Sequence, residues 1–222
     1  MELLQAIRSR HSVRTYLDKP IHPRLVKALQ AAVDVANLEG GLNIQLVTQE
    51  PDAFGSFLCH YGMFRGVKNY IALVGPKDAT LPRRCGYYGQ RLVLLAQALG
   101  LRTCWVAATY GKKKVPLEIP AGRKLVCVIA LGYGASDGKP HKSKPLEALC
   151  RVQGEMPAWF KTGMEAVMLA PSAVNRQSVR FHLTGANTVR AQAGSGWVHQ
   201  VDLGIAMLHF ELGAGKENFT FE

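Results

Sequence analysis

The densest group of chemistry-bearing side chains is Arg10-His11-Ser12-Val13-Arg14. In extended backbone, alternate residues face one side, so Arg10, Ser12 and Arg14 are expected to project together. Two guanidiniums and a hydroxyl on one face suit a phosphate and a polar ring edge. The same residue types also describe a solvated basic turn. A second group, Ala170-Pro171-Ser172-Ala173-Val174-Asn175-Arg176-Gln177, follows a helix end. Pro171 stops that helix and small residues admit a flat ligand. Asn175 and Gln177 carry both donors and acceptors, as a heterocycle edge requires. An ordinary helix-to-strand turn would look similar. In the third group, His141-Lys142-Ser143-Lys144-Pro145, two lysines flank a serine, which fits either a phosphate or a solvated loop.

Other chemistries are disfavoured. The seven histidines show no His-Glu-x-x-His and no His-x-His beside carboxylates, so no metal site is expected. There is no Gly-x-Ser-x-Gly elbow and no Walker loop. Gly132-Tyr133-Gly134 follows a strand but opens no dinucleotide-binding helix. Ser, His and Asp occur, yet nothing in their spacing forms a triad.

Positioning such groups needs a core, and 222 residues with 48% hydrophobic content supply one. No apolar run reaches the roughly 20 residues that span a bilayer, so no membrane partner is expected. Met1-Glu2-Leu3-Leu4-Gln5 lacks a signal-peptide layout, and the expected location is cytoplasmic. The five cysteines, Cys59, Cys85, Cys104, Cys127 and Cys150, are dispersed, which argues against a disulfide framework or a zinc site. A net charge of +11 favours anionic partners, either nucleic acid or phosphorylated cofactors. Only Lys112-Lys113-Lys114 is a compact basic run, and no aromatic-studded basic stripe accompanies it, so nucleic acid ranks well behind.

Apolar spacing predicts helices over 2–8 (Leu3, Leu4 and Ile7 on one face), from His22-Pro23 to about Asn37, over 86–99, from Met156-Pro157 through Leu169, and over 202–212. Gly100 closes the third and Gly213 the last. Strands are predicted over 43–48, 70–74, 125–131, 179–183 and 188–193, with a buried turn or strand over 103–107. The order helix, strand, strand, helix, Leu-Gly thus occurs twice. Pro23, Lys27, Ala32, Val33 and Ala36 match Pro157, Lys161, Ala166, Val167 and Ala170 in spacing. Internal duplication explains this, as of two subunits fused into one chain; chance likeness of amphipathic helices is the alternative.

Together these segments resemble the FMN-dependent nitroreductase family. The resemblance rests on Arg10-His11-Ser12-Val13-Arg14-Thr15-Tyr16, on Gly89 through Trp105, and on Val128-Ile129-Ala130-Leu131-Gly132-Tyr133-Gly134 followed by Lys142 to Pro145. It rests also on Ala170-Pro171-Ser172-Ala173-Val174-Asn175-Arg176-Gln177. It implies an α+β fold, a nitroreductase-like αβα sandwich of two degenerate αβ repeats forming a pseudo-dimer. Residues 1–150 would be the first half, and 151–222 a shorter half that completes one flavin site. The motif order is unusual: Ala-Pro-Ser follows the helix of the second half, whereas the first reads Ala36-Asn37-Leu38-Glu39-Gly40-Gly41. This likens the chain to the single-chain, fused branch.

The resemblance further implies that Arg10, His11 and Ser12 hold the FMN phosphate and ribityl end, with Lys142 and Lys144 adding charge. Arg14 would lie near the ring's N1/O2 edge. Pro171, Ser172 and Asn175 would contact the isoalloxazine, and backbone groups of Trp105, Val106 and Ala107 would line its N5 side. The implied reaction has two steps: NAD(P)H delivers hydride to FMN, then a nitroaromatic or quinone-like small-molecule acceptor is reduced. The cofactor does the chemistry, so no catalytic side chain is assigned. A monomer acting as a pseudo-dimer is implied. The alternative is a non-catalytic flavin-binding or storage protein.

Overall fold

A computed structural model of the protein describes residues 3–55 and 63–222; Cys59 lies outside the described residues. The chain divides into two compact units, each assembled from separated stretches. An amino unit comprises Ser9–Leu81 and Leu92–Pro140, and a carboxy unit comprises Met1–Arg8, Pro82–Arg91 and His141–Glu222.

The amino unit is built on an antiparallel sheet in the order β1-β2-β4-β3, with β1 at Gln45–Val47, β2 at Asn69–Pro76, β3 at Arg102–Val106 and β4 at Arg123–Gly132. The continuous apolar runs 70–74 and 125–131 become its two buried inner strands. Helix α2, Pro23–Gly40, starts where Pro23 suits the first turn and the His22 ring accepts from Arg24 N–H at 3.2 Å. It buries Leu29, Val33 and Ala36, and closes on Gly41 in the left-handed region. Asn37 then bonds both backbone groups of Ile44, its amide donating to the carbonyl at 2.9 Å and accepting from the N–H at 2.6 Å. That clamp feeds the chain into β1.

Helix α3, Leu81–Ala98, runs through both units' sequence ranges. It begins five residues before the expected start near Gly86 because Pro82 is accommodated in the first turn, where no intrahelical N–H is needed. Its end is as expected: Leu101 N–H bonds Ala96 O at 2.9 Å and Gly100 N–H bonds Gln97 O at 3.1 Å, a closure that requires the left-handed Gly100.

In the carboxy unit the sheet order is β5-β6-β7-β8: β5 at Cys150–Arg151, β6 at Arg180–Leu183, β7 at Thr188–Gln192 and β8 at Thr220–Phe221. The inner pair is antiparallel, and each two-residue edge strand pairs parallel to its neighbour. Those short edges carry no periodicity, and the sequence does not announce them. Helix α4 spans Ala158–Val167 and helix α5 spans Trp197–Ala214. The expectation that α5 ends at Gly213 is corrected: the helix continues through it to Ala214 and is capped by Gly215. Gly213 is there for contact, since a Cβ on it would lie 2.6 Å from the Thr162 carbonyl oxygen. Gly204 does the same one face away, where a Cβ would overlap the Arg83 carbonyl of α3. Buried on nearly every side, α5 is the unit's central post. Phe210 stacks on Phe181 at 5.0 Å and meets Phe160 edge-on at 5.3 Å. Fully buried His209 sits 2.9 Å from Ala166 O through Nδ1 and 2.8 Å from the Gln90 amide through Nε2. A neutral ring with its proton on Nδ1 satisfies both.

Helix α1, Leu3–Ser9, forms as expected but buries Ala6 and Ile7, leaving Leu3 and Leu4 43% and 48% exposed. Only its last turn is covered. No helix among the described residues is long and apolar enough to cross a membrane. The four described cysteines are buried thiols.

Candidate functional site

Two polar clusters stand out, one in each unit. In the amino unit, the segment after α1 runs extended along β3. Ser12 bridges Thr103 in parallel, Thr15 bridges Arg65, and Tyr16 bridges Gly134. Val13 N–H donates to Thr103 O at 3.0 Å, and the buried Tyr16 hydroxyl donates to Val13 O at 2.7 Å. Gly138, at φ +77°, lets its loop press on the segment; a Cβ there would lie 2.8 Å from His11 Cβ.

This frame sets the three alternate residues around Cys104, but at different depths. Arg10 is 4% exposed, Ser12 is half-buried and Arg14 is exposed. Burial pushes the Cys104 thiol up, while the charges of Arg14 and Arg10 and a hydrogen bond from Ser12 pull it back. Arg14 also lies over the Phe64 ring, 6.0 Å from its centre.

Arg10 is the anomaly. Its Nε is buried without a hydrogen-bond partner among the described residues, and desolvation lowers its pKa to about 10. A buried guanidinium lacking a carboxylate is costly unless an anion arrives. Trp105 and Val106 continue β3 beyond Cys104, and Ala107 follows exposed at the strand's end.

In the carboxy unit the structure joins the second and third sequence groups into one cluster. The Ser143 hydroxyl donates to Met168 O at 2.7 Å, and the His141 ring lies 3.0 Å from the same oxygen. Asn175 and Gln177 side-chain amides both donate to Lys142 O at 3.0 Å, while the Gln177 carbonyl accepts from Lys144 N–H at 2.8 Å. The Lys144 ammonium donates to Arg176 O at 2.7 Å and Gln177 O at 3.2 Å. Gln177 also donates to Asn175 Oδ1 at 2.9 Å, and its backbone N–H bonds the Ser172 hydroxyl at 3.0 Å. The amides that suggested a free heterocycle receptor therefore brace the turn first. Pro171 and Ser172 are half-buried, and Val174, Asn175 and Arg176 are exposed.

The bracing holds an unusual backbone. Val174, Asn175 and Gln177 have φ of 46°, 55° and 47°, all in the left-handed region. For β-branched Val174 this is an outlier, and its side chain is 85% exposed. Strain of this kind persists only where surroundings over-determine it, and it concentrates at ligand-binding sites.

Two residues missed in the sequence complete the cluster from α5. Asp202, 4% exposed, accepts from Ala173 N–H at 3.0 Å and 3.2 Å through its two oxygens. Burial raises its pKa to about 6, against the pull of the Ala173 bond and His199. His199 Nδ1 shares a 2.6 Å hydrogen bond with the Ser178 hydroxyl at the turn's exit. An acidic residue in the apolar run 201–208 of the helix, three positions after a histidine, was the available signal.

The fold is that of nitroreductases. The chain matches a "putative nitroreductase" from Thermotoga maritima at a TM-score of 0.68 and 24% identity, covering 98% of this chain and 85% of that one. A "putative nitroreductase" in complex with FMN from Desulfovibrio desulfuricans matches at 0.56 and 23% identity, covering 71% and 99%. An FMN-dependent nitroreductase from Clostridium difficile matches at 0.51 and 16% identity, covering 63% and 91%. The family model "Putative TM nitroreductase" matches residues 2–214, and the chain belongs to that family. No curated protein matches it.

Proposed function

We propose that the protein is an FMN-dependent oxidoreductase. The observation that carries this reading is Arg10, a buried cation with an orphaned Nε and no acidic partner among the described residues, beside the Ser12 hydroxyl and the exposed Arg14. Its donor set fits a phosphorylated, anionic cofactor. Membership of a nitroreductase family and the FMN named for two matched structures support the choice of FMN. When bound, FMN supplies hydride exchange, accepting from NAD(P)H and delivering to a nitroaromatic or quinone-like acceptor.

The chain's own residues bind and orient. Arg10, His11 and Ser12 are assigned the phosphate and ribityl end, and Lys142 and Lys144 add positive charge. Arg14 is assigned the pyrimidine edge of the ring, where a fixed guanidinium favours developing negative charge. Pro171, Ser172 and Asn175 are assigned the ring itself, on a turn held rigid before any ligand arrives. Backbone groups at Trp105, Val106 and Ala107 are assigned the ring's far edge. The helix, strand, strand, helix order of α2-β1-β2-α3 and α4-β6-β7-α5, each with an antiparallel strand pair, supports a duplicated origin.

The test is flavin content of the purified protein, followed by FMN titration and anaerobic addition of NADH or NADPH. Bound FMN that bleaches, and is reoxidised by a nitroaromatic or quinone, is the expected result. Arg10→Ala should weaken FMN retention at least about tenfold, the scale of one charge-assisted contact. FMN that binds but resists bleaching by both nicotinamides would make the protein a flavin carrier. No FMN affinity at all would end the reading.

A further inference from the structure

We infer that Asp202 is a positioning residue, whose carboxylate holds the strained 173–177 turn in its ligand-binding form by gripping the Ala173 amide. The inference rests on the proposed assignment of that turn to FMN, and it names a residue which that assignment does not use.

The turn enters a conformation its residues disfavour. Between Ser172, in extended backbone, and Arg176, in the helical region, two consecutive residues sit left-handed, and Gln177 follows suit. Such a path needs fixed points at both ends. The exit is fixed by Gln177 and Lys144, whose bonds tie it to the 142–144 loop. The entry has Asp202: both carboxylate oxygens lie within 3.2 Å of Ala173 N, one residue before the first left-handed position.

Asp202 is well placed for this. It projects from α5, the most buried helix of its unit, and α5 is pressed against α3 at Gly204, two residues on. A rigid support transmits position; a loop would not. The groups acting on the carboxylate are the Ala173 amide, from the turn, and His199, from its own helix. His199 in turn holds Ser178, so α5 grips the turn at its entry and just beyond its exit.

The carboxylate is also an expensive choice for a buried site. Burial raises its pKa to about 6, so near neutral pH the fold carries a charge it would rather neutralise. A residue serving stability alone would be apolar there, or an amide. An ionised acceptor makes a stronger bond to a backbone N–H than a neutral one, and that is what a strained turn requires.

The experiment compares wild type with Asp202→Ala and Asp202→Asn, using FMN as the probe, from pH 5 to pH 8. Amide hydrogen exchange at Ala173, Asn175 and Gln177 is followed in the flavin-free proteins. In wild type, FMN affinity should fall as pH drops through about 6, where the carboxylate gains its proton. Asp202→Ala should weaken FMN about tenfold at pH 8 and speed exchange across the turn; the size is that of one lost charge-assisted hydrogen bond. Asp202→Asn, which keeps an acceptor oxygen, should show an intermediate loss and a smaller step near pH 6 than wild type, the step that remains being that of the FMN phosphate. If Asp202→Ala does not fold, Asp202→Asn alone decides by that reduced step and by its exchange rates. Unchanged turn exchange in a folded variant overturns the inference. Should wild type bind no FMN, the flavin reading fails, but faster exchange in the variants would still uphold Asp202 as the turn's anchor.

Discussion

The Arg10–Arg14 segment and the 170–177 turn reach readiness for a ligand by opposite means. The first has relaxed, extended backbone and an unmet electrostatic need, the buried Arg10 guanidinium with its orphaned Nε. The second has nearly every polar group met and a backbone held in left-handed positions. One stores desolvation, the other torsion. An anion relieves the first by direct pairing, whereas the second gains by being rigid before the ligand comes.

The comparison can be broken from the support outward. Gly204→Ala should be the largest effect: a methyl group against the Arg83 carbonyl forces α5 away from α3, at a cost of about 3 kcal/mol. Because α5 carries Asp202 and His199, exchange in the turn should rise along with global unfolding, measured by denaturant titration.

Asp202→Asn comes next and should move stability the other way. The folded pKa of about 6 lies above the ordinary 3.8, so the fold binds the proton more tightly than the unfolded chain. The resulting stability is complete below about pH 4 and is lost as pH rises through 6. Replacing the carboxylate should therefore stabilise the protein at pH 8 by about 2 kcal/mol, with little gain at pH 4. Thermal unfolding at the two pH values checks this. A variant that is more stable yet binds FMN more weakly would separate the turn's function from its fold.

Arg10→Met applies the same logic to the other region. In flavin-free protein, removing a buried cation that has no acidic partner among the described residues, while keeping its stem's volume, should leave stability unchanged or raise it by about 1 kcal/mol. FMN retention should nonetheless fall, as for Arg10→Ala. Lost stability together with unchanged FMN binding would erase the contrast between the regions.

Val174→Gly is the smallest. Relief of a left-handed β-branched residue should add about 1 kcal/mol to stability, read as a rise in the thermal midpoint. Its effect on FMN reports whether the exposed isopropyl group packs on the ligand.

Much of the scaffold is legible because its residues answer to local rules. The runs 70–74 and 125–131 are apolar throughout and become inner strands. Pro23 opens α2 and Gly100 ends α3 through backbone requirements that need no partner, whereas α2 runs on to Gly40, past the expected end near Asn37. Where a residue's reason is another element, local rules mislead. Gly213 looks like a helix end and is a contact with α4; Gly86 looks like a helix start and is a contact with α5. Leu3 and Leu4 look like a core stripe, yet both stay largely exposed.

The chemistry divides along the same line. From the sequence alone come two polar segments near positions 10–14 and 170–177, which we propose for flavin binding, and the kinship with nitroreductases. These depend on identity and order, which a chain carries openly. Only the tertiary structure decided that Arg10 is buried and Arg14 exposed, that the 141–144 loop braces the turn, that three residues there sit left-handed, and that Asp202 grips its entry. Burial, strain and long-range hydrogen bonds are relations between distant segments, and they exist only once the chain has folded.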